Sequence, residues 1–168
     1  QHPKNFERGM GLCIYQKPVT DSLAAIKYKN ERKFAQYYLE EIRKRKYREL
    51  LRLKADAVIP VPIHKKKRRK RGFNQAELIA GELEQLMGIP MDCEALVRVV
   101  KTVPMKELDN AHRVKNLQNA FQVREKVVRY RKVLIVDDIY TTGATFDACA
   151  AVLKDAGVSQ VYGISLCV

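Results

Sequence analysis

No apolar run in this chain of 168 residues approaches the ~20 residues of a membrane-spanning helix, and no segment has the charged-then-apolar layout of a signal peptide. Insertion into a bilayer is therefore not expected, and a cytoplasmic location is. Cysteine is sparse: Cys13, Cys93, Cys149 and Cys167 are scattered, with no C-x-x-C pair. That spacing argues against a disulfide scaffold and against a zinc site within these residues, and leaves buried free thiols as the expectation. Internal repeats and low-complexity linkers are missing as well, which argues for one domain, long enough to bury its own core. The chain opens at Gln1 rather than at a methionine, so a longer N-terminal region upstream of it is allowed for.

Acidic residues are scarce in the front half. Residues 1–75 hold 21 Lys/Arg against 7 Asp/Glu, a net of +14, whereas residues 76–168 hold 11 against 12, a net of −1. The whole excess behind the net charge of +13 therefore sits in the front half. It gathers in Arg43-Lys44-Arg45-Lys46-Tyr47-Arg48 and in the unbroken run Lys65 to Arg71. A solvated helix face accounts for the first run. The second is harder to dismiss, because adjacent cations repel one another unless a polyanion is near. Pyrophosphate, nucleic acid and a nuclear-import address are the alternatives, and nothing else in the chain supports the last.

What is present is most informative at Val133-Leu134-Ile135-Val136-Asp137-Asp138-Ile139-Tyr140-Thr141-Thr142-Gly143-Ala144-Thr145. Four apolar, mostly β-branched residues predict a strand buried on both faces, ending in two carboxylates and a hydroxyl-rich turn. Phe146, Cys149, Ala150, Leu153 and Ala156 then recur at helical spacing, with Gly157 at the expected helix end. A strand, loop and helix in this order make a phosphate cradle from free backbone N–H groups, the positive end of the helix dipole and threonine hydroxyls. Two carboxylates beside such a cradle would repel a bare phosphate. They suit a sugar diol or a bound divalent cation, so the implied ligand is a phosphorylated sugar. The plainer alternative is an ordinary connection in which Asp137 or Asp138 caps the helix.

The remaining pattern alternates. A short strand is predicted at Gly11–Gln16, helices at Val19–Tyr28 and from Glu31 to about Leu53, and a buried strand at Ala57–Val61. Pro60 and Pro62 place that strand at a sheet margin or shape the loop after it. Asn74 is predicted to cap a helix, with Glu77 as its capping-box partner, an apolar face of Ala76, Ile79, Ala80, Leu83 and Met87, and an end at Gly88 and Pro90. Strands are predicted near Ala95–Val100, at Phe121–Val123 and at Val161–Leu166, with a polar stretch over residues 101–118. Such alternation predicts an α/β fold, a mostly parallel central sheet with helices on both faces and a ligand at the carboxyl ends of its strands. Residues 1–30 are expected as a small extension packing on a core of residues 31–168.

Asp137-Asp138 with Thr141 to Thr145 resembles the phosphoribosyl-pyrophosphate (PRPP) signature of type I phosphoribosyltransferases. Arg71-Gly72-Phe73-Asn74-Gln75-Ala76-Glu77 behind Val61-Pro62-Ile63-His64, together with Tyr15, Lys27-Tyr28, Arg113-Val114-Lys115-Asn116 and Ala120-Phe121, narrows the resemblance to the ComF (ComFC) branch. Two departures stand out. The branch usually begins with a four-cysteine zinc module, which has no counterpart within this chain, and Met105 stands where many relatives carry glutamine.

The resemblance implies PRPP as ligand, Mg2+ as its companion ion and phosphoribosyl transfer to a nitrogen nucleophile of an unidentified acceptor. By that resemblance Asp137 and Asp138 meet the ribose hydroxyls and stabilise the growing positive charge at C1. Thr141, Thr142, Gly143, Ala144 and Thr145 wrap the 5′-phosphate, while Ile63, His64 and Lys65, with Arg71 as a second contributor, face the leaving pyrophosphate. Residues 101–118 are expected as a mobile lid whose cations are Lys101, Lys106 and Arg113. No protein-only metal site is expected. The branch is associated with competence, the uptake of single-stranded DNA, so single-stranded DNA at Lys66, Lys67, Arg69 and Lys70, other competence proteins and a second copy of the chain are further partners to weigh. Two alternatives stay open: a PRPP-sensing protein without catalysis, and a nucleic-acid-binding module that uses the cations with the neighbouring tyrosines.

Overall fold

A computed structural model of the chain describes residues 4–14, 16–17, 19–29, 32–99, 117, 120–124 and 129–168. The strand β5 (Lys132–Ile139) runs through its centre, because Val133, Leu134, Ile135 and Val136 carry apolar side chains to both faces. It pairs in parallel with β2 (Ala57–Pro60) on one side, Ala57 opposite Val133 and Pro60 opposite Val136. On the other side it pairs in parallel with β6 (Gln160–Cys167), which in turn pairs in parallel with β1 (Arg8–Cys13). The order β1-β6-β5-β2 leaves β2 at an edge, where the backbone of Pro60 needs no outer partner. A second, two-stranded antiparallel sheet joins β3 (Leu96–Arg98) to β4 (Phe121–Val123).

The alternation of the strands sorts the core into two layers. Val133 and Ile135 pack with Ala57, Ile59, Phe121, Phe146, Cys149 and Leu153 on the face covered by the helix α5 (Ala144–Asp155). Leu134 and Val136 pack with Val58, Ile42, Leu50, Ile79, Ala80 and Leu83 on the opposite face. That face is covered by α2 (Arg32–Leu53) and α4 (Gln75–Met87), with α1 (Val19–Lys29) against α2. Among the described residues no helix is long and apolar enough to cross a membrane.

Several expectations need correction. The first strand lies at Arg8–Cys13 rather than Gly11–Gln16, and as a strand of the main sheet it belongs to the core. The strand expected at Ala95–Val100 covers only Leu96–Arg98, and β5 continues past Val136 through both aspartates. The basic run is a helix, α3 (Lys65–Arg71), closed by Gly72 in the left-handed conformation at φ 81°. Asn74 does cap α4, its Oδ1 accepting from Ala76 N at 3.2 Å, but Glu77 does not complete a capping box. Its carboxylate accepts instead from the Arg68 guanidinium, a stronger charge-assisted partner than a backbone amide. The polar stretch 101–118 lies outside the described residues except for Leu117, which is buried in the α5-side core.

Candidate functional site

Asp137 and Asp138 stand at the carboxyl end of β5, both half-buried, with Asp137 opposite Ser165 of β6. Asp137 lies on the α5 side of the sheet with Val133 and Ile135, where its charge acts on Arg98 and Cys149. The Asp138 amide donates to Asp137 Oδ1 at 2.8 Å, which fixes the first carboxylate against the strand end. On its own face Asp137 is flanked by two groups that sequence reading did not single out. Arg98, at the end of β3, places its guanidinium 5.4 Å from the centroid of the Phe121 ring. Burial lowers its pKa, and the negative charge of Asp137 works against that drop. Cys149, fully buried on α5, has its thiol pushed well upward, first by burial and then by Asp137. It is a neutral core group, not a nucleophile.

The chain leaves β5 through Tyr140, whose amide donates to Cys167 O at 2.7 Å, and turns through the exposed Thr141 and Thr142. Gly143 is the N-cap of α5, in the left-handed conformation at φ 80°. A Cβ at Gly143 would stand 2.5 Å from Tyr140 Oη and 2.9 Å from Lys4 Nζ. Only glycine suits both the dihedral and the space. The Thr142 hydroxyl accepts from Ala144 N at 3.3 Å, and the Asp147 amide donates to Gly143 O at 2.8 Å. The loop is thus held by its own backbone, with Ala144 and Thr145 opening α5 and their amides at its positive end.

A third component comes from residues 4–7, which no local motif marks. Lys4 Nζ reaches Tyr140 Oη at 2.6 Å and Thr142 O at 3.4 Å. The Asn5 amide and side chain both donate to Asp147 Oδ1, at 2.5 and 3.2 Å. Phe6 packs edge-on against Tyr140 and Phe146.

On the other flank, Val61 N donates to Val136 O at 2.8 Å, so the segment Pro62-Ile63-His64 leaves the sheet one strand away from Asp137. His64 caps α3, its Nδ1 accepting from Lys66 N at 3.2 Å, which leaves Nε2 as the proton-bearing nitrogen. Ile63, His64 and Lys65 therefore share the sheet end with the acidic pair. Arg71 sits at the far end of α3, with its guanidinium 3.5 Å from Gln75 Oε1. Lys101, Lys106 and Arg113 lie outside the described residues.

The two basic runs differ in their surroundings. In α2, Lys44 and Arg45 meet Glu41, and Lys46 meets Glu49. In α3, no residue is buried, Arg68 and Arg71 are turned to Glu77 and Gln75 of α4, and Lys66, Arg69 and Lys70 fall at i, i+3 and i+4 on one stripe.

No family model matches the chain. It is 32% identical over 177 residues to competence protein F of Haemophilus influenzae, covering 92% of this chain and 77% of that protein. It is 30% identical to the DNA utilization protein YhgH of Shigella flexneri, covering 99% of this chain and 74% of that one. A purine phosphoribosyltransferase from Pyrococcus horikoshii, 18% identical, superposes with a TM-score of 0.50 over 77% of this chain and 73% of its own, a likeness of fold alone.

Proposed function

The chain belongs to the competence protein F family and has the type I phosphoribosyltransferase fold, and from that premise we propose that it binds PRPP with Mg2+ and transfers the phosphoribosyl group to a nitrogen acceptor. The observation that carries this reading is the acidic pair at the end of β5 running directly into the Gly143 turn and the start of α5. In this reading the amides and hydroxyls of Thr141 to Thr145 hold the 5′-phosphate. Asp137 and Asp138 accept from the ribose hydroxyls and stabilise positive charge at C1 as the C1–O bond breaks and the new N–C1 bond forms. His64 and Lys65 stand nearest the departing pyrophosphate. The donors are hard oxygens, which suits an ion commonly held by one or two carboxylates plus substrate phosphates. When bound, Mg2+ supplies charge neutralisation for the leaving group.

PRPP with Mg2+ should raise the melting temperature, since a ligand that binds only the folded state stabilises it. Asp137→Asn with Asp138→Asn should abolish the rise, and Gly143→Val should block the phosphate. A rise unchanged in both variants places the ligand elsewhere. Pyrophosphate release on adding each nucleobase in turn distinguishes transfer from PRPP sensing.

A second reading concerns α3. Its cations at consecutive turns repel one another, and those of its first turn oppose the helix dipole. Arg68 and Arg71 are engaged by α4, whereas the Lys66, Arg69 and Lys70 stripe is exposed. A nucleic-acid backbone along that stripe would relieve the repulsion, in keeping with relatives named for competence and DNA utilization. Neutralising about four to six phosphates gives a log–log salt slope of roughly −3 to −4 for single-stranded DNA. Replacing Lys66, Lys67, Arg69 and Lys70 by Ser should flatten that slope and leave PRPP binding intact. Binding that is undetectable or insensitive to salt defeats this second reading.

A further inference from the structure

Resting on the phosphoribosyl reading, we propose that Lys4 is the cation of the sugar-phosphate site, binding the 5′-monophosphate from the flank of the loop. The argument starts from what surrounds its ammonium group. Its contacts are a phenol oxygen at 2.6 Å, a carbonyl oxygen at 3.4 Å and the faces of Phe6 and Tyr140 at 5.3 and 5.2 Å from the ring centroids. All of these are neutral. An ammonium group has three donors, and the long contact to Thr142 O yields easily to a better acceptor.

The segment that carries Lys4 is pinned on both sides. Asn5 is bonded twice to Asp147 in the first turn of α5. Phe6 is 8% exposed among aromatic rings, and Glu7 donates its amide to Val161 O at 2.8 Å and receives Lys154 Nζ at 2.8 Å. A cation held this way loses little freedom when it meets a ligand. Its position is also specific. Lys4 Nζ and Tyr140 Oη close the space beside Gly143, and the carbonyl that Lys4 touches belongs to Thr142, within the very turn assigned to the phosphate. The amides of the turn supply direction without net charge. Lys4 supplies the charge, on the opposite flank from His64 and Lys65. The two ends of PRPP would then be held by separate cations, with Lys4 for the monophosphate and the β2–α3 segment for the diphosphate.

Calorimetric titration with ribose 5-phosphate and, separately, with inorganic pyrophosphate tests the assignment. Lys4→Met keeps the apolar stem and removes the charge. It should weaken ribose 5-phosphate roughly tenfold, as expected for one charge-assisted hydrogen bond, and leave pyrophosphate unchanged. Lys4→Gln should repeat the loss, and Lys4→Arg should restore most of it. Unchanged ribose 5-phosphate affinity in Lys4→Met overturns the proposal, as does an equal loss for both ligands, the mark of a loop that has merely lost its support. If the unaltered protein binds neither PRPP nor ribose 5-phosphate, the proposed function itself fails, and inorganic phosphate still decides the role of Lys4. Phosphorus line broadening that vanishes in Lys4→Met but persists in Asp137→Asn supports it. Broadening that is absent from the unaltered protein or retained in Lys4→Met overturns it.

Discussion

Arg98 holds a position where charge is costly: its guanidinium lies against Phe121, in the layer that also contains Phe146 and Cys149. Burial alone would disfavour a cation there, and the electrostatic partner that offsets it is Asp137, the first carboxylate of the proposed sugar site. Replacing a largely buried cation by an apolar side chain of similar length often leaves stability little changed, because the desolvation cost disappears with the charge. The unliganded melting temperature of Arg98→Met should therefore stay close to that of the unaltered protein. The effect should appear at Asp137 instead. Without a neighbouring positive charge its carboxylate becomes easier to protonate, so the acid limb of PRPP-induced stabilisation should move to higher pH. Melting with and without PRPP and Mg2+, from acid to neutral pH, measures this. An acid limb in the same place would mean that Arg98 serves packing alone.

At the scale of elements, what was legible in the sequence was whatever local chemistry decides. The run Val133–Val136 announces a buried strand, and Phe146, Cys149, Ala150 and Leu153 do form the buried face of α5. Asn74 and Gly88 bound α4 through a side-chain acceptor and a left-handed closing residue, both readable from residue type. The errors arise where a partner distant in sequence decides. β1 alternates only briefly, Met10 and Leu12 facing the core between glycines, too short a pattern to set its bounds; these come from its pairing with β6. Gly9 and Gly11 sit where a Cβ would stand 3.2 Å from the Tyr140 ring and 2.1 Å from Val168. α3 has no apolar periodicity to reveal it, since none of its residues is buried, and it depends on His64 and Gly72 at its ends. Glu77 was assigned to a capping box by its spacing, but an arginine nine residues away took it. In the site, the acidic pair and its loop are contiguous and could be read directly. Lys4 and Arg98 reach it across 136 and 39 residues of sequence, and no local signal marks them.

For the molecule as a whole, the decisive electrostatic fact at high pH is which groups the fold keeps neutral. Cys149 is pushed well upward and Cys13, Tyr38 and Tyr130 upward, in each case by burial first. In the unfolded chain the thiols lose their protons near pH ~8.5 and the tyrosines near ~10. Above the unfolded value the unfolded state therefore binds fewer protons than the folded one, and stability falls as pH rises. The stabilisation is fully present below about pH 8.5 and is lost progressively toward the raised folded values. A competing effect acts in the opposite direction: removing protons from the surface lysines relieves the self-repulsion of a chain with net charge +13. Lysine titrates near ~10.4, so between about pH 8.5 and 10 the thiols should dominate. Urea midpoints measured at intervals over that window should decline, by at most about 1.4 kcal/mol per pH unit for each coupled group. Cys149→Ala, which removes the most strongly shifted thiol, should lower stability at neutral pH through the small cavity it leaves, yet show a shallower alkaline decline than the unaltered protein. A decline equally steep in both proteins would rule out the buried thiol as its source, and no decline below pH ~10 would rule out the linkage altogether.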